Sequence, residues 1–212
     1  PAGITFEQAA AVPTSGSLAV QGVRDEGRTQ PGQKVLINGA GGAVGTFALQ
    51  LAKAFGAEVT GVDAAEKLDM LRSIGADRVV DYTQEDFTRG GERYDFILDL
   101  AGNHAWSECK RALTPGGTYV LSGYDQFGGS GHRWFGSLGR FAKLVVVSPF
   151  VSYLHPFPGM KDPGDRLVVL KELIEARKIT PVIDRTFPLS DVPEAIRYME
   201  TGQVRGKVVI TV

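Results

Sequence analysis

The feature that most constrains this chain is a glycine-rich loop set between an apolar run and a helical pattern. Lys34-Val35-Leu36-Ile37-Asn38 is short, apolar and preceded by the turn pair Pro31-Gly32, as a strand buried on both faces of a parallel sheet would be. It runs directly into Gly39-Ala40-Gly41-Gly42-Ala43-Val44-Gly45. Residues 46–55 then repeat apolar side chains at helical spacing (Phe47, Leu51, Ala54) up to Gly56, where a helix would stop. The best register of the loop is G-x-x-G-x-x-G at Gly39, Gly42 and Gly45. Between a strand and a helix the first glycine permits the tight turn, and the middle one lets backbone N–H groups approach a pyrophosphate. The last lets the helix pack on the sheet, and the helix N-terminus faces the phosphates with its partial positive charge. A purely structural strand-to-helix turn is the plainer alternative, and glycine favours that as well.

The rest of the chain keeps the same rhythm. Strands are expected at 58–62, 78–81, 95–100 and 118–122, and helices at 6–23, 67–74 and 106–113, the last stopped by Pro115-Gly116-Gly117. Alternating apolar strands and helices argue for an α/β, doubly wound parallel sheet of the Rossmann type, with right-handed crossovers and helices on both faces. Residues 123–139 interrupt it with glycines interleaved with Tyr124, Phe127, Trp134 and Phe135, which reads as a mobile loop, either a substrate lid or a partner surface. A strand at 144–147, helices at 166–177 and 192–200 and a closing strand at 207–212 follow.

Composition narrows the function. The formal net charge is −1 and neither sign forms a long block, so no nucleic-acid or anionic-membrane footprint is present and a small molecule is the expected partner. No run of about 18 apolar residues suggests a membrane span. The lone Cys109 cannot make an internal disulfide and suits a reducing cytosol, hence an expected cytoplasmic location, and no Cys-x-x-Cys pair offers a zinc site.

Chemistry on this fold gathers at the carboxyl edge of the sheet. An acid should follow the loop by about 20 residues to take the adenosine ribose hydroxyls, and Asp63 stands there. Its charge favours NAD(H), whereas Lys67, one turn on, is either a solvated helix residue or a group that neutralises a 2′-phosphate, so NADH against NADPH stays open. Ala101-Gly102-Asn103 and Ser122-Gly123 end two strands and are candidate walls for ribose and nicotinamide, or ordinary turns. No tyrosine has a lysine four residues on, which excludes a short-chain dehydrogenase relay. No G-x-x-x-x-G-K-[ST] P-loop is present. Asn38, in place of an acid at the end of the first strand, argues against a methyltransferase. His104, His132 and His155 are isolated, Cys109 sits in a helical pattern, and Asp99 reads as a turn or capping carboxylate. No catalytic acid or base and no metal ligand is assigned.

Several segments together resemble the zinc-binding-dehydrogenase-like, quinone oxidoreductase branch of the medium-chain dehydrogenase/reductase superfamily. They are Phe6-Glu7-Gln8-Ala9-Ala10-Ala11-Val12-Pro13, Gln30-Pro31-Gly32-Gln33-Lys34-Val35-Leu36-Ile37 running into the loop, Leu71-Arg72-Ser73-Ile74-Gly75-Ala76-Asp77, and Arg205-Gly206-Lys207-Val208-Val209. The resemblance covers essentially the whole chain. It implies a dinucleotide-binding domain over residues 1–154 and a C-terminal segment, 155–212, that packs on an N-terminal catalytic domain not contained in this chain. Ala10-Ala11-Val12 stands where zinc-dependent members carry a cysteine ligand, which points to the zinc-independent reductases. These transfer a hydride from NAD(P)H to a quinone or an α,β-unsaturated carbonyl, a hydrophobic small-molecule acceptor. The resemblance further implies cofactor contacts at Thr14 and Ser15, near the nicotinamide, and at Lys67 and Tyr82, near the adenosine. A homodimer is compatible with it. A non-catalytic module that binds or senses the dinucleotide is the alternative from another class.

Overall fold

The computed structural model describes residues 3–122, 154–155 and 163–212. The chain enters through helix α1 (Phe6–Val20), which opens on a capping box: Thr5 Oγ1 accepts the Gln8 N–H at 3.2 Å and Gln8 Oε1 accepts the Thr5 N–H at 3.0 Å. A π-helical turn, Gln21–Glu26, leads to strand β1 (Lys34–Asn38) and, past the glycine loop, to α2 (Gly45–Ala54). Then come β2 (Glu58–Asp63), a 3₁₀ turn at Ala65–Lys67, α3 (Leu68–Ser73), β3 (Arg78–Asp81), β4 (Tyr94–Asp99), α4 (Trp106–Arg111) and β5 (Leu113–Leu121). The remainder is β6 (Leu154–His155), α5 (Pro163–Glu175), β7 (Ile183–Pro188), α6 (Val192–Glu200) and β8 (Lys207–Thr211).

Six strands form one parallel sheet in the order β3-β2-β1-β4-β5-β6. The order reverses between β1 and β4, and on an open α/β sheet the crevice at that switch point, beyond the carboxyl ends of the strands, is where ligands bind. The glycine loop leaves β1 at this point. Alternation along each strand explains the continuous apolar runs. Val35 and Ile37 of β1 join Phe96 and Leu98 of β4 in the core under α1 and α2, while Leu36 and Ile97 face the other layer with Val62, Val80, Cys109 and Tyr119. Each fully buried side chain of this kind contributes roughly 1.5–3 kcal/mol.

Helix α5 belongs to the same core. Leu170 and Ile174 are buried with α1, and a Cβ at Gly16 would lie 2.8 Å from Leu170 Cδ1, so the bare glycine makes room for that helix. Arg166, almost fully buried, donates to Gln21 Oε1 at 2.7 Å and to Asp25 Oδ2 at 3.0 Å, tying α5 to the π-helical turn. Strands β7 and β8 pair parallel in a separate two-stranded sheet.

Two local features differ from the sequence reading. Strand β5 begins at Leu113 rather than 118, and Pro115-Gly116-Gly117 lies within it as an irregularity: the register shifts between Tyr94 and Phe96, and a Cβ at Gly117 would meet Tyr94 O at 3.0 Å. Strand β7 was not foreseen, because Ile183-Asp184-Arg185-Thr186-Phe187-Pro188 has no clean alternation and no buried position. The strand expected at 144–147 and the glycine- and aromatic-rich segment 123–139, Gly123 included, lie outside the described residues.

Candidate functional site

The loop is built by a few backbone bonds. Gly39 and Ala40 both donate N–H to Val62 O, each at 3.0 Å, which fastens the start of the loop to the end of β2. Gly39 has φ +84°, a conformation only glycine adopts without strain. A Cβ at Gly45 would collide with the carbonyl oxygen of Gly39 and lie 2.6 Å from that of Ala40, so this glycine lets α2 begin directly against the turn. Val44, the residue before α2, makes no side-chain cap, and Ala43 and Val44 are half-buried at the opening of the crevice. The first N–H groups of a helix have no intrahelical acceptor, so an anion placed there would meet oriented donors and the positive end of the helix dipole.

Gly42 differs from its neighbours. A Cβ there would meet nothing nearer than Gly39 O at 3.4 Å. The protein leaves that position open, three residues ahead of α2.

The acid at the end of β2 sits against the loop. Asp63 Oδ2 accepts the Gly41 N–H at 2.7 Å, Oδ1 accepts the Ala64 N–H at 2.9 Å, and Lys67 Nζ stands 3.4 Å from Oδ1. Both residues are 8% exposed, so Lys67 is not the solvated helix residue that one sequence reading allowed. Burial is tolerable because each charge neutralises the other and the carboxylate has two further donors. The Lys67 stem lies across the loop: a Cβ at Gly41 would be 2.6 Å from Lys67 Cδ. Tyr82 joins this corner through its N–H, which donates to Asp63 O at 3.3 Å, and its side chain is half-exposed. The structure thus brings Gly39, Ala40, Gly41, Gly42, Asp63, Lys67 and Tyr82 together.

A second group lies under the ends of β1, β4 and β5. Asp99, fully buried, accepts from Asn38 Nδ2 at 2.9 Å, from the Gly102 N–H at 2.8 Å and from Tyr119 Oη at 2.7 Å. Asn38 Nδ2 also donates to Asn103 Oδ1 at 2.8 Å, and the Ser122 N–H donates to Asp99 O at 2.9 Å. Burial, then the neighbouring charges of Asp99 and Cys109, hold the Tyr119 phenol far above its usual pKa. The network fixes the turn at Ala101, Gly102 and Asn103 and ties Ser122 to the end of β4. Asp99 is a capping carboxylate in this arrangement, and Cys109 is buried within the fold. Thr14, exposed, and Ser15, buried, lie midway along α1, and among the described residues no hydrogen bond links either to the loop.

Sequence reasoning missed the Asn38–Asp99–Tyr119 network, although two polar residues closing apolar strands were a usable signal. It also missed a tie from the C-terminal sheet, in which the Gly206 N–H donates to Gly41 O at 2.9 Å.

The zinc-binding dehydrogenase family model matches residues 74–210. The chain belongs to that family. It is a member of the medium-chain dehydrogenase/reductase superfamily. The human mitochondrial NAD(P)H oxidoreductase RTN4IP1 is 36% identical over 230 residues, an alignment that takes in 100% of this chain and 57% of that protein. The chloroplastic NADPH-dependent alkenal/one oxidoreductase of Arabidopsis thaliana is 34% identical over 220 residues, covering 99% of this chain and 48% of that protein. Among solved structures, the quinone oxidoreductase from Coxiella burnetii superposes with a TM-score of 0.77 at 27% identity, over 99% of this chain and 62% of that one. The chain therefore spans about half the length of these curated relatives.

The family model carries zinc in its name. Among the described residues no group of three or more His, Cys, Asp or Glu side chains could hold a metal ion. Among them, too, no helix is long and apolar enough to cross a membrane.

Proposed function

We propose that this chain is the nicotinamide-dinucleotide-binding part of an oxidoreductase that transfers a hydride from NAD(P)H to a quinone or an α,β-unsaturated carbonyl. The observation that carries this reading is the open position at Gly42, set before an uncapped helix and beside Asp63, Lys67 and Tyr82. An open cradle at a helix N-terminus suits a pyrophosphate. When bound, the cofactor supplies the hydride, and the protein supplies binding and orientation.

The loop from Gly39 to Gly45 would hold the pyrophosphate through the N–H groups of Ala43 and Val44, since those of Gly41 and Gly42 are taken by Asp63 Oδ2 and Gly39 O, and Asp63, Lys67 and Tyr82 would hold the adenosine end. Ala101, Gly102 and Ser122, fixed by Asp99, would bound the nicotinamide end, with Gly123 following. Thr14 and Ser15 enter on the strength of the resemblance. No residue among those described is a convincing proton donor, so a proton needed by the reduced acceptor would come from water or from the remainder of the protein. The names of the relatives support the reaction class, and those of the alkenal/one reductase and the quinone oxidoreductase support the acceptor. Residues 155–212 would carry the surface on which the expected N-terminal catalytic domain packs. The buried lone cysteine suits a reducing compartment such as the cytosol, while relatives include mitochondrial and chloroplastic proteins.

Calorimetric titration of the full-length protein with NADH and NADPH, followed by turnover with a benzoquinone and a short enone, tests the reading. Saturable nucleotide binding with acceptor-dependent oxidation of the nucleotide supports it. Binding without turnover on either acceptor class would favour a sensing module, and no binding would remove the loop from any dinucleotide site.

A further inference from the structure

A fully buried carboxylate stands at the switch point of the sheet. Asp99 closes β4, in register with Asn38 of β1 on one side and Leu121 of β5 on the other, so it lies where the strand order reverses. Its Oδ1 accepts Asn38 Nδ2 and the Gly102 N–H, and its Oδ2 accepts Tyr119 Oη. All of these donors are neutral. Among the described residues no lysine, arginine or histidine pairs with Asp99, whereas Asp63 has Lys67 at 3.4 Å and Asp77 has Lys53 at 2.7 Å. Turns elsewhere in the chain are closed by carboxylates that keep contact with solvent, such as Asp81 on the Thr83 N–H and Asp86 on the Thr88 N–H. Closing a turn therefore does not require burying a charge that no cation compensates.

Such a charge acts in one direction. A carboxylate held by fixed dipoles out of water is felt through a low effective dielectric, and it needs no reorganisation when charge develops near it. In the reaction proposed above, the C–H bond at the reacting carbon of the dihydronicotinamide breaks with its electron pair, and that pair forms the new bond from hydrogen to the acceptor. The acceptor then takes a proton from water or from the remainder of the protein, and the ring is left as a pyridinium cation. The ring thus gains one positive charge in the step. Asp99 is bonded to both groups proposed to bound that end, Gly102 through Oδ1 and Ser122 through its carbonyl oxygen, so its charge is anchored where the positive charge develops.

We propose that Asp99 is an electrostatic positioning residue, whose buried, uncompensated charge favours the oxidised over the reduced nicotinamide and so makes bound NAD(P)H a stronger hydride donor. This rests on the dinucleotide reading above and gives the acid at the end of β4 a function that its capping bonds do not require.

The experiment is calorimetric titration of the full-length protein and its Asp99→Asn, Tyr119→Phe and Tyr119→Lys variants with NADP+ and NADPH and with NAD+ and NADH, with thermal melting of each. An amide at position 99 keeps an acceptor for Asn38 and Gly102 and offers its Nδ2 to Tyr119 Oη, so the charge is removed with the bonds in place. Asp99→Asn should raise the ratio of the oxidised to the reduced dissociation constant by about tenfold, a rise of about 30 mV in the midpoint potential of the bound two-electron couple. Tyr119→Phe loses a hydrogen bond but keeps the charge, and should change the ratio by less than about twofold. Tyr119→Lys sets a cation on the same carboxylate oxygen and should raise the ratio as Asp99→Asn does, which decides the matter should Asp99→Asn not fold. Equal loss of both redox forms, an unchanged ratio in the variants that cancel the charge, or a shift in Tyr119→Phe as large as theirs overturns the assignment of Asp99 while leaving the dinucleotide reading in place. Failure of the wild type to bind any of these nucleotides overturns both.

Discussion

At the scale of single residues the glycines of the loop separate into those the protein requires and the one it leaves open. Gly45 is required by the fold, since a Cβ there meets the backbone carbonyls of Gly39 and Ala40. Gly45→Ala should lower unfolding free energy by about 2–3 kcal/mol, as overpacking against rigid backbone does, measured by urea titration. Gly42 has space for a methyl group, so Gly42→Ala should melt close to wild type. Gly42→Asp should fold as well but lose dinucleotide binding, because it sets a carboxylate against the pyrophosphate. Retained affinity in Gly42→Asp would take the loop out of the site. Tyr119 carries a pH dependence of its own. Burial, with Asp99 and Cys109 alongside, raises its pKa, so the folded protein keeps a proton that the unfolded chain releases near pH 10. Its stabilisation is complete below that pH and is lost as pH rises beyond it. Tyr119→Phe should cost about 1–2 kcal/mol at pH 7 for the lost bond to Asp99. It should also decline less steeply between pH 9.5 and 11. An unchanged alkaline slope in urea titrations would show that Tyr119 does not titrate in this way.

At the scale of elements, what could be read from the sequence tracks how locally each feature is specified. Strand β1, the loop and α2 were legible because Val35, Leu36 and Ile37 are buried on alternate faces and leave an unbroken apolar run, and because glycine marks both ends of the turn. The place of Asp63 was legible from its distance along the chain. Its use was not: that its Oδ2 holds the Gly41 N–H depends on the orientation of one side chain, and the burial of Lys67 depends on how the 3₁₀ turn Ala65–Lys67 sits against the loop. The bond of Tyr119 to Asp99 was hidden for another reason, since it requires the register of β5 on β4, which the irregularity at Tyr94 shifts. The docking of α5 was hidden too, and it offers a test. Arg166 is almost fully buried and bonded to Gln21 and Asp25, so Arg166→Ala leaves both partners without this donor. A loss of about 2–3 kcal/mol is expected, with faster hydrogen exchange across 163–175 and 21–26. A loss below about 0.5 kcal/mol would mean that apolar contacts of Leu170 and Ile174 alone hold the helix.

At the scale of the whole molecule the C-terminal sheet connects two surfaces. On one side Gly206 bonds to the glycine loop. On the other, α6 exposes Ile196 and Met199, three residues apart and so neighbours on one helix face, preceded by exposed Leu189. Single exposed apolar residues need no explanation, but a helix that buries Ala195 and leaves two larger side chains in solvent has its apolar stripe turned partly outward. The relatives are longer than this chain, which covers 57% of the human protein. This face belongs to the packing surface proposed above for residues 155–212, whose occupant would be an N-terminal domain. If it packs there, Met199→Glu and Ile196→Glu should each destabilise the full-length protein by about 2 kcal/mol or more, as burying an unpaired charge does, or detach the N-terminal domain outright. They should weaken nucleotide binding as well, because the same sheet positions Gly206 at the loop. Substituted full-length protein that melts and binds like the wild type would show that α6 stays in solvent, and the packing surface of residues 155–212 would then have to be sought elsewhere.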